Sequence, residues 1–335
     1  MSIANTFQHN GGTWRFSAPY LATRTLSLGA TAFRHVTFYS NNGFDAYTLT
    51  ITGTPSVLGD LEFQRMNATN SGTLNGGTLL VHGNITVQAS NYLGSMAVRL
   101  VGNSDQTVHA TTATSHVPNL EIASTGGIVS ITGTPVFFRN FTHTTGTVSL
   151  TAPSITLLGA YNSTYTFNAP TIAFNDVAIN SANAHDIVTY NFVGELNVNG
   201  NLTLSTTSVA SSLNSGTIRV RGNLAASGTT AWNGTAMISL EGTANSTISQ
   251  VATTTFGNGP ISVNKASASV TQLTAISPRQ NMTISAGSTY NMNGFNLAVT
   301  GSLTNNGVLS RGTSPACGTL STGSFAGTPA VCPPP

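Results

Sequence analysis

Apolar and polar residues alternate in short runs along nearly the whole chain. The clearest form is apolar-x-apolar-x-Gly-Asn-apolar-x-apolar, as in Leu79-Leu80-Val81-His82-Gly83-Asn84-Ile85-Thr86-Val87. It returns as Leu196-Asn197-Val198-Asn199-Gly200-Asn201-Leu202-Thr203-Leu204 and again as Ile218-Arg219-Val220-Arg221-Gly222-Asn223-Leu224. Leu297-Ala298-Val299-Thr300-Gly301-Ser302-Leu303 carries Ser where the others carry Asn, and Val98-Arg99-Leu100-Val101-Gly102-Asn103 is a shorter copy. Alternation with a period of two is the signature of a strand with one buried face. The Gly-Asn pair suits a tight corner, because both residues tolerate a positive φ.

The corners recur at similar spacings. Gly83 and Gly102 are 19 residues apart, Gly200 and Gly222 are 22 apart, and Gly222 and Gly242 are 20 apart. Gly242 to Gly301 spans 59 residues, about three further steps. Such a period predicts a stack of coils, each too small to bury its apolar side alone. The expected fold is therefore all-β, a parallel β-helix (β-solenoid) of roughly 20-residue coils with a short irregular C-terminal cap. About 16 coils at a strand spacing of about 4.8 Å would make a rod of about 75–80 Å. An antiparallel sandwich would show more Asn-Gly hairpin signals; Asn41-Asn42-Gly43 and Asn305-Asn306-Gly307 are the best here. No boundary interrupts the pattern up to residue 310, so 1–310 reads as one repeat domain and 311–335, rich in Gly, Ser, Thr and Pro, as a cap or linker.

Composition agrees with sheet rather than helix. Only 6% of the residues are charged, against roughly 25% in an average soluble domain. Lys265 is the sole lysine, and Thr, Ser, Asn, Gly and Val replace the Glu, Lys and Gln of helical surfaces. The hydrophobic fraction of 39% is too high for a disordered chain, and no apolar run is long enough to cross a bilayer as a helix. A net charge of +2 without a basic cluster excludes electrostatic nucleic-acid binding. Cys317 and Cys332 read either as a disulfide closing a terminal loop in an oxidising compartment or as two free thiols; the surrounding small residues favour the disulfide. The segment from Met1 to Phe7 has neither the basic nor the apolar part of a signal peptide. The chain is expected to be a mature form or an internal piece, with Pro333-Pro334-Pro335 the start of a stiff linker.

Candidate chemistry is sparse. The nine carboxylates are Asp45, Asp60, Asp105, Asp176, Asp186, Glu62, Glu121, Glu195 and Glu241. Asp60 and Glu62 lie two apart, share one strand face near Arg65, and form either an acid pair or an ordinary polar surface. Asp105, His109 and His116 form at most a weak metal set. No catalytic residue, cofactor-binding residue or metal ligand is assigned. Eight Asn-x-Ser/Thr sequons, at Asn67, Asn84, Asn140, Asn162, Asn201, Asn233, Asn245 and Asn281, arise wherever a corner Asn precedes a strand. Thr48-Leu49-Thr50-Ile51-Thr52 suggests a flat Thr array, but Thr-x-Thr does not recur at a 20-residue step. Trp14, Phe16, Phe33, Phe38, Phe44, Phe137, Phe138, Phe141, Phe167 and Phe174 read as core stacking, with an outward glycan-binding track as the alternative.

The runs Gly-Asn-Leu-Thr-Leu at 200–204, Gly-Asn-Ile-Thr-Val at 83–87 and Phe-Asn-Asp-Val-Ala-Ile at 174–179 resemble the degenerate repeats of large bacterial surface proteins. These are the filamentous-haemagglutinin-like adhesins and autotransporter passenger domains. The resemblance covers most of the chain and implies a β-solenoid, export to the exterior or cell surface, and an adhesive or scaffold role. It carries over no binding residue. The expected function is a passive, secreted or cell-surface rod that self-associates or contacts glycans or a host surface, without nucleic-acid binding or membrane insertion. The alternative is a polysaccharide-active β-helix enzyme or tailspike-like protein, which requires convergent carboxylates.

Overall fold

A computed structural model describes residues 12–16, 22–39, 48–64, 72–88, 94–113, 115–137, 139–152, 154–159, 163–181, 187–206, 211–251, 254–278 and 280–334. Phe44, Phe138, Asp45, Asp186, Arg65, Asn67, Asn162 and the Asn41-Asn42-Gly43 turn lie outside these residues. The chain is all-β, with no helix among the described residues, and its parallel strands stack as a β-solenoid of about 12 turns. It divides into two compact units, Met1–Thr156 and Leu157–Pro335.

In the first unit one rail of strands runs through Thr13–Phe16, His35–Phe38, Leu61–Phe63, Ile85–Val87 and Gln106–Ala110. A second runs through Ala32–Phe33, Ser56–Val57, Thr78–Val81 and Ala97–Leu100, and a third through Thr23–Gly29, Thr48–Gly53 and Thr73–Asn75. Asn119–Gly133 serves the first two rails at once. Its Leu120 pairs with Val98 and its Ile131 with Val108, so one strand turns a corner without breaking. In the second unit the longest rail runs from Ala173–Phe174 through Glu195–Val198, Thr217–Val220, Met237–Gly242, Ile261–Lys265, Met282–Ile284 and Leu297–Asn305 to Leu320–Gly327. Beside it lies the rail Asp176–Ser181, Leu202–Thr206, Leu224–Gly228, Ser246–Gln250, Ser269–Gln272, Thr289–Asn291 and Val308–Ser310.

Inward side chains form columns. Val36, Leu61, Ile85, Val108 and Ile131 follow one another in register and are all buried. Leu196, Ile218, Ile238, Ile261, Met282 and Leu303 do the same in the second unit. Full burial of each such side chain contributes about 1.5–3 kcal/mol, and only the neighbouring coils provide it. The aromatics join these columns rather than an outward track. Phe33, Phe38, Phe137, Phe141, Phe167 and Phe174 are buried, and the Phe38 and Phe63 rings stack with centroids 5.5 Å apart. Trp14 and Phe16 are half-buried against Phe33, at 5.5 and 5.8 Å.

The step between paired coils is not fixed. Thr289 pairs with Val308 after 19 residues, whereas Thr23 pairs with Thr48 after 25. A constant 20-residue step therefore overcounts the coils. The segment from Arg311 onward contains Leu320–Gly327, which pairs in parallel with Leu297–Asn305, and Val331, which bridges Ser310. Cys317 and Cys332 are joined by a disulfide, with Cα atoms 6.1 Å apart.

Candidate functional site

The corner residues hold neighbouring coils together by a ladder of side-chain oxygens. In the first unit the Asp60 amide donates to His35 Nδ1 at 2.9 Å. Asp60 Oδ1 accepts from the Asn84 amide at 2.8 Å, and Asn84 Oδ1 accepts from the Thr107 amide at 2.9 Å. In the second unit Asp176 accepts from the Asn201 amide at 2.6 Å, Asn201 from Asn223 at 2.9 Å, and Asn223 from Thr247 at 2.8 Å. Asn245 and Asn281 serve Ser269 and Ser302 in the same way, at 3.0 and 2.9 Å. Each rung satisfies an amide that the corner removes from the sheet. One position differs from its sequence reading: Asp105 accepts from Ile128 at 2.9 Å, two residues beyond Asn103.

The glycines beside these rungs are needed for closeness, not for a left-handed backbone. A Cβ on Gly83 would stand 2.4 Å from the Gly59 carbonyl oxygen, and one on Gly222 would stand 2.4 Å from that of Gly200. A Cβ on Gly200 would meet Asp176 Oδ1, and one on Gly102 would lie 2.8 Å from the His82 carbonyl oxygen. None of these four has a positive φ; among the corner positions singled out, Gly242 alone does, at +94°. Gly242 and Gly301 occupy different columns, since Gly242 pairs with Lys265 and Gly301 packs over Asn281.

The seven described carboxylates all bond within the scaffold. Asp60, Asp105 and Asp176 are rungs. Glu62 accepts from Gln64 at 2.8 Å and Gln88 at 2.7 Å. Arg219 bridges Glu195 and Glu241, each at 2.6 Å, across three successive coils. The hydrogen bond to Glu195 is the main reason its pKa is raised. Glu121 pairs with Arg99 at 3.3 Å and accepts from Thr144 at 3.0 Å. Asp60 and Glu62 thus serve a corner and a strand face separately. His109 Nδ1 contacts Thr132 Oγ1 at 2.8 Å, and burial lowers the pKa of His116 to about 4. Among the described residues no three of His, Cys, Asp and Glu come together as a metal site.

Sequence reading missed two features. Lys265 is buried, and its Nζ donates to the carbonyls of Arg221 at 2.9 Å and Ala244 at 3.1 Å. The Gly242 position beneath it has no side chain, which leaves a path for the lysine stem to the Arg221 carbonyl. Burial lowers the pKa of this amine. The second feature is a Thr array. Thr23, Thr48 and Thr73 stand in register, as do Thr25, Thr50 and Asn75, with Ser27 beside Thr52. Their 25-residue step hid them from a 20-residue search.

Similar neutral rows line the second unit. Ala178, Thr203, Ala225 and Ser249 form one outward row, and Thr247, Thr271, Asn291 and Ser310 another. An open groove of about 490 Å³ in the first unit is lined by Ser124, Thr125, Gly126, Gly127, Thr145, Gly146 and Thr147, all hydroxyl or bare backbone. No protein-family model, curated protein or solved structure matches this chain.

Proposed function

We propose that the chain is a passive structural or adhesive module of a secreted or cell-surface protein, acting through its outer faces and its coil ends. The observation that carries this reading is the division of labour among polar groups. Charged side chains are engaged in holding coil to coil, as in Glu195–Arg219–Glu241, while the outward rows present Thr, Ser, Ala and Asn. Such a face makes many weak, neutral hydrogen bonds to a hydroxyl-rich partner such as a glycan, or to another copy of itself. The Cys317–Cys332 disulfide supports export, because such bonds persist in oxidising compartments.

A polysaccharide-cleaving reading needs two carboxyl groups facing each other across about 5–9.5 Å. Asp60 and Glu62 are the nearest pair in sequence, and both are engaged with other partners. The test combines adsorption to immobilised neutral polysaccharides, imaging at rising concentration, and an assay for new reducing ends. Adsorption or assembly without new reducing ends is expected. Release of reducing ends that disappears on Glu62→Gln would replace the structural reading with catalysis.

A further inference from the structure

The final strand has no coil above it. Leu320–Gly327 pairs with Leu297–Asn305 on one side and ends the order of its sheet on the other. Along this rail the inward column runs Ile238, Ile261, Met282, Leu303 and Phe325. The first four are 0–2% exposed, whereas Phe325 keeps 40% of its surface bare. Thr322 follows buried Val299 on the same inward side. The strand, Leu-Ser-Thr-Gly-Ser-Phe-Ala-Gly, carries no charge and no proline, the usual devices that keep an edge from pairing. The disulfide brackets it, joining residues on either side of it.

We infer that this edge is a docking site for the first coil of a second copy of the chain, so that copies stack as coils do. This rests on the reading of the chain as a structural module that associates through its coil ends. The occupant follows from continuity with the coil-on-coil interface inside the molecule, where strands run parallel and an apolar column closes on an apolar column. A second copy brings Thr13–Phe16, Thr23–Gly29 and Ala32–Phe33, which end their own sheets at the opposite end of the strand order. They carry half-buried Trp14 and Phe16, an aromatic complement to Phe325. The two edges differ, so the contact is head-to-tail and can repeat.

The experiment compares wild type, Phe325→Lys, Thr322→Lys and the control Thr304→Lys, which lies on the outward side one coil earlier. Mass is followed by light scattering, with imaging, over about a tenfold rise in concentration, and circular dichroism melts confirm folding. Wild type and Thr304→Lys are expected to at least double in mean mass, while each of the other two variants stays monomeric. Phe325→Lys mixed into wild type as a minor component is expected to shorten the assemblies, because its first coil still docks but its last coil cannot. Wild type that stays monomeric overturns the inference. So does a Phe325→Lys variant that assembles like wild type, and in that case the structural reading survives with its contact elsewhere. Unchanged polysaccharide adsorption by Phe325→Lys separates loss of docking from loss of adhesion.

Discussion

At the scale of single residues, the corners are the most informative positions. Gly-Asn was legible in the sequence, but its physical reason was not. Alternation of apolar residues reveals which positions point inward; it carries no information about how closely two backbones approach at a bend. Gly222→Ala would place a methyl group 2.4 Å from a backbone oxygen that cannot swing away. Its expected loss is about 1–3 kcal/mol, read from denaturant midpoints. Gly29→Ala tests the other kind of constraint, since its φ is +56° and nothing lies within 4 Å. A loss of about 1–2 kcal/mol from backbone strain alone is expected there. Asn201→Ala removes a rung and should cost about 1 kcal/mol.

Two buried titratable groups set the pH dependence. His116 titrates near 4 in the folded chain and near 6.5 once unfolded. The unfolded chain therefore binds the extra proton first, and stability falls as pH drops from about 6.5 toward 4. His116→Gln should flatten that limb of the urea-midpoint curve. Burial likewise lowers the pKa of Lys265, so its contribution runs the same way: stability rises with pH between its lowered folded value and the ordinary lysine range near 10.4. Lys265→Met should abolish this rise. Tyr290 opposes it above about pH 10, since burial raises its pKa and unfolding then releases a proton.

At the scale of elements, strand existence was legible and coil length was not. Val98-Arg99-Leu100 and Ile238-Ser239-Leu240 alternate in the sequence and are strands in the structure. The corners between strands absorb different numbers of residues, so the step varies from 19 to 25 while the register of the columns is kept. A search at one fixed step sees only the coils that happen to match it, which is why the Thr23–Thr48–Thr73 row was invisible. Asn119–Gly133 shows a further limit. It turns a corner as one continuous strand, with its register shifts between Ile122 and Ile128, so no break in its pairing marks the bend. The terminal strand Leu320–Gly327 lies within the segment bounded by the disulfide, whose partners are 15 residues apart. Closing a loop of that length stabilises by about 3 kcal/mol. In a Cys317→Ser, Cys332→Ser double variant, hydrogen exchange should accelerate across residues 320–327 and stay slow in Met237–Gly242 and Ile261–Lys265.

At the scale of the whole molecule, the low charge of the sequence acquires a structural meaning. The described carboxylates and their cationic partners act between coils, so the outward rows remain neutral. Interactions made by such faces rest on short-range hydrogen bonding and apolar contact rather than on long-range fields. Salt screens charged contacts over about 10 Å at 0.1 M and leaves neutral ones nearly untouched. The most direct test is therefore the salt dependence of the contacts the protein makes, measured as adsorption to neutral polysaccharide and as mean assembly mass from about 50 mM to 1 M sodium chloride. The neutral-surface account predicts that both stay within about twofold across that range. A tenfold or greater fall with rising salt would contradict it and place charged side chains at the working surface.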